Sequence, residues 1–222
     1  MSTRIRLLTS VAFAALVLAA AMPAQADKVG VTAAVNPQAS GKPPQQAERV
    51  LQVGIDMQAD ERVVTNANGR AQLLFLDGSG LTVGPNSDLK IDKFVYDPTS
   101  KTGDLAVTAA KGVFRFVGGK ISKTSEVQIN TPAGTIGIRG GIATVAVSPT
   151  GATTANFLFG QKMTMRAAGM EQVVTRPGTA VDGSPGQPPS APRPSTSAEL
   201  QQVNSSLQTS GEGGNGQQTQ NG

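Results

Sequence analysis

Ser87-Asp88-Leu89-Lys90 and Lys101-Thr102-Gly103 spell a Ser-x-x-Lys nucleophile and a Lys-Thr-Gly triplet, the pair used in serine β-lactam chemistry. That mechanism needs the serine at the start of a buried helix and the triplet on a distant strand. Here both lie within one hairpin's length of strand-and-turn sequence, so the spelling carries no acyl transfer. A phosphate loop fails as well, because Phe114 stands where its first glycine is required and Ile121 follows Lys120 in place of Ser or Thr. Asp60, Glu61, Asp92 and Asp97 fall near strand ends, as a glycosidase pair would, but the solvated surface of any β domain offers the same. With no His and no Cys, the usual zinc site, the Ser-His-Asp triad and the cysteine nucleophile are excluded. The sequence names no catalytic residue, no metal ligand and no cofactor.

Cations are the remaining candidates. In "KGVFRFVGGKISK" Phe114 and Phe116 share one strand face, while Lys111, Arg115 and Lys123 share the parity of the other. The phenyl rings belong to a core and the cations to a solvated face or a binding stripe. In "TPAGTIGIRGG" Ile136 and Ile138 point inward, and Thr135, Gly137 and Arg139 point away. The glycines around Arg139 suggest a close backbone approach, where a guanidinium caps carbonyls or pairs with a carboxylate. Arg139, Arg115 and Lys111 are therefore carried forward as structural clamps or partner contacts. A single Tyr and no Trp leave little stacking surface, so no nucleic acid partner is expected.

The elements that must hold these residues are short strands. From Val50 onward apolar runs recur every 8 to 12 residues or so, separated by Gly, Pro, Asn or Asp, the rhythm of an all-β sandwich, barrel or solenoid. Asn68-Gly69 and Asp77-Gly78 read as reversals between adjacent strands. Leu105 to Val107 and Val113 to Val117 read as two strands. Residues 27–49 read as a short N-terminal strand and linker, 50–182 as the β domain, and 183–222 as a disordered Pro/Gly/Ser/Gln-rich tail. Within that tail Leu200, Val203 and Leu207 have helical spacing behind Thr196 and Glu199, in a stretch too short to hold alone.

Residues 1–26 carry the marks of a cleavable signal peptide: Arg4 and Arg6, an apolar run, then Ala24-Gln25-Ala26. The run is shorter than the ~20 residues of a spanning helix, so no stable membrane anchor is expected after cleavage. Removing the two arginines lowers the formal charge from +4 to +2. The expected location is the periplasm, or the exterior or cell surface.

The segments "NGRAQLLFLDGSGLTVGPNSDLKIDKFVYDP", "KGVFRFVGGKISK" and "VQINTPAGTIGIRGG" resemble the FecR domain, the periplasmic module of iron-dicitrate sensing regulators. The likeness runs from about Leu51 to Thr179. It rests on the ordered set Asp77-Gly78, Lys111-Gly112, Thr131-Pro132 and Gly137-Ile138-Arg139-Gly140. It implies an all-β domain, solenoid-like in part, that works by protein contact and has no catalytic centre. The chain departs from the regulators' layout, since a leader replaces their cytoplasmic segment and spanning helix. Two functions follow as expectations: a non-catalytic, regulatory or signal-sensing domain that binds an envelope protein, or a structural domain that self-assembles into homo-oligomers at the envelope surface.

Overall fold

The computed structural model describes residues 27–36 and 38–208; the expected signal peptide and residues 209–222 lie outside them. In chain order the strands are β1 (Lys28–Asn36), β2 (Ala39–Lys42), β3 (Arg49–Val50), β4 (Asp56–Gln58), β5 (Arg62–Thr65), β6 (Arg70–Phe75), β7 (Gly80–Val83), β8 (Asp88–Asp97) and β9 (Thr102–Val117). Helix α1 (Lys120–Thr124) follows, then β10 (Val127–Thr131), β11 (Gly134–Arg139), β12 (Ile142–Val147), β13 (Thr153–Phe159), β14 (Lys162–Ala167), β15 (Met170–Val174), β16 (Thr179–Gly183), β17 (Arg193–Pro194) and helix α2 (Ser197–Leu207).

Backbone pairing resolves these strands into two sheets. Sheet A has the order β4-β1-β6-β7-β9-β12-β13-β16-β17. Sheet B has the order β3-β2-β5-β8-β9-β10-β11-β14-β15. Every pair is antiparallel except β9 with β10. From β10 onward the chain lays hairpins alternately in the two sheets, and the inward residues of both form one core that includes Leu73, Leu81, Phe114, Phe116 and Phe157 from sheet A and Leu89, Val107, Ile129, Ile136 and Met165 from sheet B. The all-β expectation is met by a sandwich wound from alternating hairpins.

Strand β9 belongs to both sheets. Its residues 102–111 pair with β8 in sheet B, and residues 112–117 pair with β7 and β12 in sheet A. Leu105, Val107 and Ala109 are buried in the first half, whereas Phe114 and Phe116 are buried in the second, so the inward parity changes from odd to even. The change falls at Gly112, whose φ is +112° and whose α-carbon packs so closely against Ser87 that a β-carbon would overlap it. The two strands expected at Leu105 and Val113 are thus one strand that crosses between layers.

Three other expectations are corrected. The turn at Asn68-Gly69 joins β5 in sheet B to β6 in sheet A, which do not pair; only Asp77-Gly78 closes a hairpin, β6 with β7. Residues 27–49 hold the expected N-terminal strand as β1, between β4 and β6, but the part expected as linker includes β2, which pairs with β5. The tail boundary at Gly183 is also displaced: β17 pairs with β16, and α2 packs against β9 with Val203 and Leu207 buried. The α2 helix is too short to persist alone. It is held at its start by a capping box between Thr196 and Glu199, and at its end by Arg70 Nε donating to the Ser206 carbonyl at 2.6 Å.

Candidate protein-contact surface

The three cations singled out by the sequence occupy three separate places. Lys111 is exposed at the end of the sheet-B half of β9, opposite Asp88. It borders a cavity of about 630 Å³ lined also by Pro85, Val113, Val147 and Pro149. The Asp88 carboxyl is held below its usual range chiefly by Arg62, which donates to it from Nε at 2.8 Å, with Lys111 a lesser influence. Arg115 lies on the outer face of sheet A, between Thr82 and Thr144. Its Nε is buried without a hydrogen-bond acceptor, as is the Thr144 hydroxyl. Lys123 does not continue the β9 stripe, because the strand ends at Val117 and Lys123 sits in α1.

Arg139 ends β11 opposite Lys162 and forms no ion pair among the described residues. The close approach expected around Gly137 exists, but another residue makes it. Glu126 reaches over Gly137 and binds Arg166, Nη1 to Oε1 at 2.5 Å, with Lys162 at 3.7 Å from its other oxygen. The clamp cation is Arg166.

A buried polar joint organises the end of the sandwich nearest α1. Asp77, 3% exposed, accepts from Ser79 N at 2.9 Å, Ser79 Oγ at 2.8 Å and Ile121 N at 3.1 Å. Ser79 Oγ in turn accepts from Gly119 N at 2.9 Å. The β6–β7 turn therefore fixes the exit of β9 and the start of α1.

Above this joint the outer face of sheet A carries a cross-strand row that the sequence reading missed. Leu74, Gly80, Val117, Ile142 and Phe159 are consecutive register partners across β6, β7, β9, β12 and β13. Leu74 is 44%, Val117 41% and Phe159 66% exposed, and Leu76 beside the turn is 54% exposed. Phe159 should share the inward face of Phe157 two residues earlier. A bulge in β13, where Ile142 pairs with Phe159 but Ala143 with Phe157, turns it outward. A concavity of about 380 Å³ lies beside Phe159, floored by Gly118, Gly140 and Gly141 and edged by Lys123 and Gln161. Lys123 is exposed and has no ion pair among the described residues. The signal for this row was the unbroken apolar run "LLFL" at 73–76, where strict alternation would place polar residues outward.

An exposed apolar row with a cation at its rim can desolvate against another protein and orient it by charge. The acids considered for catalysis are engaged in structural contacts instead. Asp60 pairs with Lys90 at 2.6 Å, buried Glu61 with Arg49 at 2.9 Å, Asp92 accepts from Thr108 at 2.7 Å, and Asp97 accepts from Thr99 N at 2.8 Å.

Comparison with curated proteins finds no match. Two crystal structures of a candidate anti-sigma factor from Parabacteroides distasonis, at 1.65 Å and 2.50 Å resolution, are similar in fold, with 10% and 11% identity. Each has a TM-score of 0.47 and covers 63% of this chain, which spans 62% of theirs. The family model described as FecR protein matches residues 61–161, a span holding the Asp77 joint, the Glu126 that reaches over Gly137 and the whole apolar row; over that span the chain is similar to the FecR family.

Proposed function

We propose that this chain is an exported, non-catalytic FecR-domain module that acts in the cell envelope by contact with another protein, in a regulatory or signal-sensing role. The observation that carries the reading is the row Leu74, Val117, Ile142 and Phe159, with Lys123 at its rim. The partner is a protein that presents apolar side chains to the row and an acidic group to Lys123. The bulge that exposes Phe159 supports a role for it, since it turns a large apolar ring outward where strict alternation would direct it inward. Export rests on the leader of the sequence. Among the described residues no helix is long and apolar enough to cross a membrane.

Site-specific photocrosslinking tests the reading. A photoreactive residue at Phe159 in cells should give one discrete higher-mass adduct, and the same residue at Thr99, on the far β8–β9 turn, should give none. Phe159→Asp should remove an adduct formed from position 117 without lowering the melting temperature. Equal labelling from 159 and 99, or no adduct from 159, would defeat the proposal.

A further inference from the structure

Each sheet of an open sandwich has two edges, and an unprotected edge strand is a template for another strand. Among the described residues three of the four terminal strands are blunted, and the part of β8 that runs past β5, Asp92–Asp97, is guarded by Asp92, Lys93 and Asp97. β3 has two residues, β4 three, and β17 is two residues long with Pro192 and Pro194 in and beside it. The fourth, β15, is five residues long, pairs only with β14 among the described residues, runs without a bulge and contains no proline. Its single charge, Glu171, is paired with Arg166 at 3.0 Å. Met170 and Val173 are 51% and 52% exposed.

From this we infer that β15 pairs antiparallel with β15 of a second copy of this chain, joining two B sheets across a two-fold axis at Gln172. The sequence Met170-Glu171-Gln172-Val173-Val174 is self-complementary in that register. Gln172 faces its own copy, Glu171 faces Val173 of the copy, and Met170 faces Val174 of the copy. No like charges oppose one another. The pairing also keeps the layers in step. Glu171 and Val173 share the outer face with Arg166 and Thr164, while Gln172 and Val174 share the core face with Met165 and Met163. Contact through two equivalent strands closes on itself, so the assembly stops at the dimer. This edge is separate from the apolar row on sheet A, and the two readings stand or fall independently.

Two opposite charges at one exposed position test the register. Light scattering of the purified full chain should give twice the monomer mass at ~100 µM. Val173→Glu places Glu beside Glu171 of the copy twice per dimer and should raise the dissociation constant about tenfold or more. Val173→Lys places Lys beside the same carboxylate and should leave the dimer as tight or tighter. Phe159→Asp should not change the mass. Gln172→Cys, in a chain otherwise free of cysteine, should crosslink to its own copy on mild oxidation. A monomer at all concentrations, or equal weakening by both Val173 variants, overturns the inference.

Discussion

The carboxylate of Glu126 lies across the α-carbon of Gly137, in space that any side chain at 137 would occupy. Gly137 is extended backbone, so glycine is required there for room and not for dihedral freedom. The arrangement lets Glu126 reach Arg166 and Lys162 over β11; burial is the largest single influence on its carboxyl and pushes its value up, but the hydrogen bond and charge of Arg166 together with Lys162 outweigh it and hold the carboxyl below the usual range.

Gly137→Ala should therefore expel the Glu126 carboxylate and break its pairing with Arg166. Arg166 is 40% exposed, which limits the loss to about 1 kcal/mol. The expected fall in melting temperature is about 2–4 °C. Glu126→Ala should produce a similar fall, and in the Glu126→Ala background Gly137→Ala should cost much less. A double-mutant cycle followed by thermal denaturation measures that coupling.

Asp77 should be the most sensitive acid of this end of the fold. Asp77→Ala leaves Ser79 N, Ser79 Oγ and Ile121 N facing an empty buried space, at a cost of about 3 kcal/mol. The melting temperature should fall by roughly 6–12 °C. Asp77→Asn keeps one acceptor oxygen and should lie between the variant and the parent. The same scan, read by calorimetry, ranks the three proteins.

Acid should release α2. Asp182 and Glu199 are both held below their ordinary ranges, first by hydrogen bonds from Arg193, whose own value is raised by them. The unfolded carboxylates bind protons more readily than the folded ones. Their contribution is therefore complete above the ordinary carboxylate range near ~4 and is lost as pH falls below it through the depressed values. For these partly exposed groups it amounts to about 1 kcal/mol. Methyl signals of Val203 and Leu207 should move toward unfolded positions in that window. Arg193→Ala should move them at neutral pH and abolish their carboxylate titration.

Local sequence determined most of the strands, the Asp77-Gly78 turn and most of the core. Phe114, Phe116, Ile136 and Ile138 are buried as alternation requires, and Thr196 caps α2 with Glu199 as their spacing requires. These features depend on neighbours two to four residues apart, which a sequence displays directly. Pairing across layers depends on residues far apart, and it decided the rest. It made one strand of 102–117 and reversed its inward parity at Gly112. It gave the clamp to Arg166, forty residues from Glu126, and left Arg139 without a carboxylate partner among the described residues. It also supplied the sheet-A face on which α2 becomes stable, and the bulge that turns Phe159 outward. Alternation specifies which side of its own strand a residue occupies; only the register with distant strands decides whether that side meets core, helix or solvent.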